Sequence, residues 1–191
     1  MQAVRESIFL IGLMGAGKTT VGRMLARRLG MHFVDSDHEI EARCGVTIPV
    51  IFEIEGEAGF RMREEQAIAD LTARAGTVLA TGGGAVLSEN SRRCLAERGT
   101  VIYLMGEPEE LNRRLGNDRN RPLLAGVDRL ERLRALHALR DPIYRSIADL
   151  IVESGTRSAQ TLARDLITRL AGPQAQAAKR TAPRARRMRE A

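Results

Sequence analysis

The sequence lacks any long hydrophobic run, and this absence argues against a membrane-spanning helix. No window approaches the roughly 18 consecutive apolar residues that such a helix needs. The N-terminus also lacks the successive basic, apolar and small-residue regions of a secretory signal peptide. We therefore expect a cytoplasmic protein that does not associate with a membrane.

Cysteine is scarce as well, since the chain has only 2. Cys44 and Cys94 show neither a CxxC spacing nor a nearby histidine cluster, so we expect neither a disulfide framework nor a zinc site. His32, His38 and His137 share no metal-ligand spacing either. We interpret both thiols as buried or inert and assign no role to the histidines.

The body of the chain has almost no net charge. The formal charge is +6, but residues 172–191 carry six Lys and Arg against Glu190, which leaves only +1 for the rest. That segment follows a Gly-Pro pair and has almost nothing to bury, so we predict a disordered tail. The length of the remainder suits one folded domain, residues 1–171. A basic tail can attract nucleic acid, and we expect at most weak, non-specific contact of this kind.

Short apolar runs alternate with amphipathic segments along the body of the chain. We predict strands at residues 8–11, 32–35, 77–80, 101–104 and 150–152. Strands that recur with helical segments between them imply crossover connections and a parallel sheet covered on both faces. The predicted fold class is therefore a three-layer α/β domain without internal repeats.

Residues 12–19, GLMGAGKT, match the pattern GxxxxGK[ST] between a predicted strand and a helix predicted over residues 19–29. Such a loop turns backbone N–H groups toward phosphates at a helix N-terminus. Lys18 reaches the β and γ phosphates, and the Thr19 hydroxyl ligates Mg²⁺. The predicted ATP-binding residues here are Gly15, Ala16, Gly17, Lys18, Thr19 and Thr20. The motif alone does not select a reaction, because switches, motors and kinases share it.

Two acidic residues, Asp35 and Asp37, follow the second predicted strand. Carboxylates two apart in an extended segment point to the same side, and the carboxyl ends of parallel strands line the ligand crevice. One carboxylate could support magnesium through water while the other holds or deprotonates an acceptor hydroxyl. An alternative of equal weight is a capping box in which Ser36 and Glu39 begin a helix.

The third predicted strand leads into three successive glycines, Gly82, Gly83 and Gly84. Bare backbone of this kind can approach a small ligand closely and offer N–H donors. A plain tight turn needs one glycine and seldom three. The segment is therefore a candidate substrate-binding loop.

Two arginines are candidates for binding an anion. Arg61 lies off the predicted buried stripe of its helix, which is formed by Phe60, Ala67, Ile68 and Leu71, and is free to bind an anion. Arg140 is the second candidate, although a single helical arginine is more often a solvated surface charge. Neither residue is decisive alone.

The segment between Gly116 and Gly126 is polar at first and aperiodic, which suits a mobile lid over the substrates. It carries Arg119 and Arg121. An arginine on the transferring phosphoryl group accelerates transfer by about 10³ to 10⁵, and closure excludes water. From composition alone, an exposed charged loop is the favoured alternative.

Taken together, these segments resemble the shikimate kinase family. The resemblance spans about residues 7–170, and its most specific parts are the Phe-Arg-x-x-Glu helix, the triple glycine and the Arg-x-Arg-Pro-Leu lid in this order. The matching positions are residues 12–20, 35–37, 52, 56–57, 60–64, 82–84 and 119–123, and Arg140 with Tyr144.

The resemblance implies a P-loop kinase fold like that of nucleoside-monophosphate kinases, with a five-stranded parallel sheet, flanking helices and a mobile lid. It implies Mg²⁺-dependent transfer of the γ-phosphoryl group of ATP to the 3-hydroxyl of shikimate, on the route to chorismate and aromatic amino acids. The implied partners are therefore shikimate and ATP, and we expect a monomer.

The resemblance also assigns roles to residues. Asp37 holds the acceptor hydroxyl and can act as its base. Lys18 and Arg121 act on the ATP phosphates, and Thr19 ligates Mg²⁺. The implied shikimate-binding groups are Asp37, Arg61, Arg140 and the backbone of Gly82, Gly83 and Gly84.

Two positions depart from the family pattern. Family members commonly hold adenine with an Arg or Asn and a Pro where this chain has Thr156-Arg157-Ser158-Ala159, so we match Arg157 there and Arg114 before the lid. The third strand lacks the terminal Asp of a usual Walker B segment, so water-mediated magnesium support is assigned to Asp35. Two alternatives remain: another small-metabolite kinase such as gluconate kinase, and a nucleotide-dependent switch or nucleic-acid-binding ATPase.

Overall fold

The computed structural model describes residues 6–116 and 128–171. Five strands in this part of the chain form a single sheet. They lie within two residues of the predicted positions: β1 Ser7–Ile11, β2 His32–Asp35, β3 Thr77–Ala80, β4 Gly99–Met105 and β5 Leu150–Glu153. The strand predictions are thus confirmed.

The strand order is β2-β3-β1-β4-β5, and every neighbouring pair is parallel. The central strands β1 and β3 are buried along their whole length, as expected for a sheet covered on both faces. Their contiguous apolar residues are what made them recognisable from sequence. Because the order reverses at β1, the strand order predicts a ligand crevice at the carboxyl end of β1, beside the neighbouring strands.

Seven α-helices in the described residues flank the sheet: α1 Lys18–Leu29, α2 Ser36–Cys44, α3 Ile48–Thr72, α4 Glu89–Arg98, α5 Pro108–Leu115, α6 Arg129–Ile147 and α7 Ala159–Ala171. A short 3-10 helix, Ala85–Leu87, follows the glycines after β3. Helix α1 packs with α7, whereas α4 packs with both α3 and α6. These two groups cover the sheet, which confirms the three-layer α/β class.

Helix α3 contains a break at Gly56 that the sequence did not predict. Gly56 adopts φ 70° and ψ −177°, a conformation that only glycine adopts without strain. The part after the break buries Phe60, Ala67, Ile68 and Leu71, as the predicted stripe requires. A small core of Ile40, Ile51, Phe60 and Ala67 joins α2 to both parts of α3.

Part of the sequence-based prediction falls outside the described residues. This applies to the lid predicted between Gly116 and Gly126, with Arg119 and Arg121, and to the tail at residues 172–191. The domain boundary at residue 171 accordingly stays a prediction. Among the helices of the described ranges, none combines the length and apolarity that crossing a bilayer requires.

Candidate active site

A cavity of about 260 Å³ opens at the carboxyl ends of β1, β2 and β3. It brings together residues that lie far apart in the sequence. The predicted site residues that line it are Gly15, Gly17, Lys18, Thr19, Thr20, Asp35, Asp37, Arg61, Gly82, Gly83, Gly84, Arg114 and Arg140. An adjoining cleft at the same loop is lined by Gly15, Ala16, Gly17, Thr20, Arg114 and Arg157, among others.

The loop between β1 and α1 has the backbone that phosphate binding requires. Gly12, Gly15 and Gly17 have φ values of 137°, 81° and 89°, which strongly favour glycine. Gly17 is the N-cap of α1 and supplies no side-chain cap, so the helix N-terminus is left open to an anion. Lys18 Nζ donates to the carbonyls of Gly12 and Leu13, each at 2.8 Å, which holds the amine against the loop.

Thr19 and Asp35 form an oxygen-rich pair beside this loop. Thr19 Oγ1 donates to Asp35 Oδ2 at 2.7 Å. A hydroxyl and a carboxylate are the hard oxygen donors that Mg²⁺ prefers, and Mg²⁺ usually keeps several waters and takes few protein ligands. The donor set therefore fits a magnesium ion held mainly by Thr19, with Asp35 in support.

The predicted capping box is wrong. The N-cap of α2 is Asp35, whose Oδ1 accepts from the Asp37 N–H at 3.0 Å, and Ser36 already lies within the helix. Ser36 Oγ instead accepts from the Gly82 N–H at 2.8 Å. Asp37 therefore sits in the first turn of α2 rather than in an extended segment. Asp35 and Asp37 nevertheless line the same cavity, as expected.

Arg61 is not the free cation that the sequence indicated. Its guanidinium donates to Glu57 at 2.9 Å and to Glu64 at 2.5 Å. Residues three and four apart on a helix are neighbours, which explains both pairs. Burial alone would lower the pKa of Arg61, but the carboxylates of Glu64 and Glu57 outweigh it and the pKa is raised. Arg61 still lines the cavity, and a guanidinium has five donors in all.

Glu64 is an acid of the site to which the sequence analysis gave no role. Its side chain is 3% exposed. Burial raises its pKa, the nearby charge of Asp37 adds to this effect, and the charge of Arg61 opposes it. Glu64 thus places a buried, ion-paired carboxyl beside Asp37.

Arg140 is buried, with 2% of its surface exposed, so its interpretation as a solvated surface charge is wrong. Its Nη1 donates to the Gly83 carbonyl at 3.1 Å. Burial lowers the pKa of Arg140, as does the charge of Arg61 nearby. Within residues 6–116 and 128–171, Arg140 Nε and Glu64 Oε1 are buried without a hydrogen-bond partner. Such groups are rare in folded proteins and indicate a ligand or ordered water.

Two of the three glycines, Gly82 and Gly84, are needed for space. A Cβ at Gly82 would collide with the carboxylates of Glu64 and Asp37, and one at Gly84 would collide with the Arg61 guanidinium. At Gly83 the nearest atoms would lie 3.5 Å away, an ordinary contact. The Gly82 N–H is already bound to Ser36, so the expectation that it is available to a ligand is wrong.

Arg114 and Arg157 lie beside the phosphate-binding loop. Arg114 donates to the Ser154 carbonyl and to Glu110, both at 3.0 Å, and Arg157 donates to Asp165 at 3.2 Å. Both line the cleft beside the phosphate loop, as the match to the adenine-binding region implied. The third arginine predicted to bind ATP, Arg121, falls in the stretch that the structure does not describe.

Sequence reasoning assigned no function to Glu57, Glu64 and Tyr144. A signal existed for the two acids, since they lie four positions before and three after Arg61, the spacing of helical ion pairs. No local signal existed for Tyr144, because its hydroxyl donates to the carbonyl of Gly83, 61 positions away.

Comparisons with known proteins identify the family of this chain. The sequence model of the family described as shikimate kinase matches residues 14–171. The chain belongs to the shikimate kinase family. One relative, the shikimate kinase of Thiobacillus denitrificans, is 60% identical over 166 residues, which cover 87% of this chain and 91% of that protein. Family membership decides against the gluconate kinase and nucleotide-switch alternatives.

Solved structures support the family assignment. A shikimate kinase from Acinetobacter baumannii in complex with shikimate is 45% identical, with a TM-score of 0.85, and the match covers 93% of this chain and 96% of that one. A gluconokinase from Sinorhizobium meliloti, at 17% identity, covers 95% of this chain and 100% of its own with a TM-score of 0.60. At that identity the likeness shows a common fold alone.

Proposed function

We propose that the chain transfers the γ-phosphoryl group of ATP to the 3-hydroxyl of shikimate, giving shikimate 3-phosphate and ADP on the route to chorismate and aromatic amino acids. One observation carries the proposal: a phosphate-binding loop shares a cavity with three arginines, Arg61, Arg114 and Arg140, and three acids, Asp35, Asp37 and Glu64. Shikimate is a small carboxylate with several hydroxyls, so it requires cations and hydrogen-bond acceptors together.

The acceptor side binds shikimate through groups of both kinds. Arg61 and Arg140 bind the carboxylate, and the unpartnered Arg140 Nε gives it a buried donor. Glu64 Oε1 accepts from a ring hydroxyl, and the backbone of Gly82, Gly83 and Gly84 forms the wall against which the ring lies. This binding energy orients the 3-hydroxyl toward the phosphates, and orientation supplies much of the rate in phosphoryl transfer.

Asp37 receives the reacting hydroxyl. As the bond forms between the 3-oxygen and the γ-phosphorus, the bond from that phosphorus to the oxygen of the leaving ADP breaks. The proton of the hydroxyl passes to the Asp37 carboxylate, which therefore acts as general base.

The donor side stabilises the phosphates. Gly15, Ala16 and Gly17 supply backbone N–H groups, together with Lys18 and Thr20. Mg²⁺, with Thr19 as direct ligand and Asp35 acting through water, would neutralise charge on the β and γ phosphates. Arg121 from the predicted lid acts on the transferring group, and Arg114 and Arg157 hold the adenine side. Catalysis then consists mainly of positioning and charge stabilisation.

We further propose a cytoplasmic monomer whose partners are shikimate and ATP. The site needs no second subunit, since the P-loop, Asp37, Arg61 and Arg140 all come from one chain. Neither a membrane nor a specific nucleic acid is expected as partner, apart from weak contact by the basic tail.

The test is magnesium-dependent ADP release from ATP with shikimate, gluconate, nucleoside monophosphates or no acceptor. We expect fast release with shikimate alone, loss of activity in Lys18→Ala, and a kcat about 10² to 10⁴ lower in Asp37→Asn. Asp70→Asn is the matched control, because Asp70 pairs with Arg43 on the surface of α3. A folded, ATP-binding protein whose ADP release does not respond to shikimate would refute the proposal.

A further inference from the structure

Tyr144 has no part in the reaction described so far, although it touches the substrate-binding loop. Its side chain is fully buried in α6, and its hydroxyl donates to the Gly83 carbonyl at 2.5 Å. Arg140, one helical turn earlier, donates to the same carbonyl at 3.1 Å. Two donors of one helix face therefore converge on one oxygen of the glycine loop.

The other polar groups of this loop show what remains for a ligand. The Gly82 carbonyl accepts from the Ala85 N–H at 3.3 Å, and the Gly84 carbonyl accepts from the Leu87 N–H at 2.9 Å. The Gly82 N–H is bound to Ser36 Oγ. All three carbonyls are thus held, whereas the N–H groups of Gly83 and Gly84 donate no hydrogen bond within the described residues.

The planar peptide links these two observations. The Gly83 carbonyl and the Gly84 N–H belong to one trans peptide and point in opposite directions. A hydroxyl that holds the carbonyl toward α6 therefore aims the Gly84 N–H away from α6. Three successive glycines have more conformational freedom than any other tripeptide, so this orientation depends on its partners.

We propose that Tyr144 is a positioning residue for shikimate, acting through the Gly83–Gly84 peptide. The inference rests on the proposed function. In this inference the Tyr144 side chain, which lies outside the cavity, orients the Gly84 N–H as a donor to the substrate. Arg140 shares this task through Nη1, but its guanidinium also serves the substrate carboxylate. Tyr144 keeps the peptide in place while Arg140 binds its ligand, which lowers the entropy lost on binding.

Tyr103 supplies a matched reference. The two rings stack with centroids 4.8 Å apart, and both side chains are at most 1% exposed. Tyr103, however, donates to Asp141 at 2.9 Å and not to the loop. Burial raises the pKa of Tyr144, so its hydroxyl stays protonated and remains a donor at physiological pH.

The experiment compares Tyr144→Phe with Tyr103→Phe in the full-length protein. Each change removes one buried hydroxyl and leaves the ring stack in place. The acceptors keep other donors, since Gly83 retains Arg140 and Asp141 retains Arg145. Both variants should therefore fold with similar melting temperatures.

We expect Tyr144→Phe to raise the KM for shikimate by about three- to tenfold, which is the effect of one hydrogen bond. The KM for ATP should stay unchanged, and Tyr103→Phe should keep both KM values. Calorimetric titration with shikimate should show the same rise in Kd. A merely structural role would instead lower kcat with the active fraction and leave both KM values unchanged.

The inference is overturned if the two variants share the wild-type KM and Kd for shikimate. A wild-type protein that neither binds nor phosphorylates shikimate would instead refute the proposed function, and the inference with it. The measurements on the wild-type protein therefore distinguish failure of this inference from failure of the proposed function.

Discussion

Gly82 and Gly84 are glycines for a steric reason that does not apply to Gly83. Gly82 and Gly84 make room for Glu64, Asp37 and Arg61, all parts of the protein. A Cβ at Gly83 would meet nothing closer than 3.5 Å, and its φ lies outside the left-handed region. Steric crowding in the fold does not explain this glycine, and under the proposed function we infer that shikimate lies against it.

We therefore expect Gly83→Ala to leave the melting temperature within about 2 °C of wild type, since the added Cβ would make only ordinary van der Waals contacts, with Gly12, Met14 and Arg140. The KM for shikimate should rise at least about tenfold, because the methyl group would lie 3.7 Å from Arg140 Nη1 and narrow the space between the substrate-binding arginine and the phosphate-binding loop. Calorimetric melting and steady-state kinetics check this. The comparison variant Gly84→Ala should lose stability as well, because it displaces Arg61. A normal KM in Gly83→Ala would show that shikimate does not contact the loop.

Sequence patterns predicted which residues form the site. They predicted the burial and the hydrogen-bond partners of these residues less well. Lys18, Thr19, Asp35 and Asp37 follow strands, and strand ends converge in parallel sheets. The burial of Arg140 could not be read from its sequence neighbours, because it depends on the packing of α6 against the segment at residues 82–87. Local spacing cannot reveal a partner that lies 57 positions away in the sequence.

At the scale of helices, the N-caps of α2 and α4 offer a direct comparison. Ser88 Oγ caps α4 by accepting from the Ser91 N–H at 3.1 Å, whereas Asp35 caps α2 and also bonds Thr19. We expect Ser88→Ala and Asp35→Ala each to lower the free energy of unfolding by about 1 kcal/mol. Only Asp35→Ala should also require more Mg²⁺ for half-maximal activity.

Urea denaturation and ADP release over a magnesium titration measure the two effects separately. An unchanged magnesium requirement in Asp35→Ala would limit Asp35 to its capping role. A changed requirement in Ser88→Ala would show that the titration reports stability rather than metal binding.

Helix α6 is attached to the sheet through Asp141, which accepts from Tyr103 at 2.9 Å and from Arg145 at 2.7 Å. Partial burial would raise the pKa of Asp141, but these hydrogen bonds outweigh it and the pKa is lowered from 3.8. A lowered folded-state pKa gives stability that is present above the unfolded value and is lost as pH falls through the folded value.

Asp141→Asn should therefore lower the free energy of unfolding by about 1 to 2 kcal/mol at pH 7. The difference between the two proteins in free energy of unfolding should become smaller as pH falls below 3.8, the reference pKa of the carboxyl group. Denaturant unfolding of wild type and Asp141→Asn at several acidic pH values measures this difference in free energy. A difference that stays constant with pH would mean that the charge of Asp141 is not its cause.

Strands were predicted more reliably than helix interiors, for a physical reason. A strand buried on both faces is a contiguous apolar run, which sequence displays directly. The break in α3 depends on the backbone conformation of Gly56 alone. A glycine within a helical pattern does not by itself predict a break. The start of α2 was misjudged because Asp35, Ser36 and Asp37 can all act as caps.

At the scale of the whole chain, the predicted boundary at residue 171 is open to a truncation test. Removing residues 172–191 takes the formal charge from +6 to +1, because that segment holds six basic residues and Glu190. We expect unchanged kinetic constants and a melting temperature within about 2 °C of the full chain, since a segment with almost nothing apolar to bury adds little stability. Binding to nucleic acid at low salt should weaken.

A full-length variant with the six basic residues of the tail replaced by glutamine is the matched control. It should reproduce the loss of nucleic-acid binding without shortening the chain. Reduced activity or a lower melting temperature after truncation would place part of the tail within the folded domain.

The alternation of strands and helices predicted a parallel sheet, but not the order β2-β3-β1-β4-β5. The same alternation is compatible with several strand orders, because each right-handed crossover can lead to either side. The phosphate-binding loop indicated which sheet edge carries the site. The family resemblance identified shikimate as the acceptor. The arginines and acids of the site alone would suit several small hydroxy acids.

Lys18, held by the carbonyls of Gly12 and Leu13, has a consequence for chemical labelling. The basic residues of this chain are almost all arginine, and its only other lysine is Lys179 in the tail. In a chain ending at residue 171, an acylating reagent would find one side-chain amine, inside the nucleotide site. The stoichiometry of labelling would then report nucleotide occupancy, and attachment to a surface through lysine would inactivate the protein.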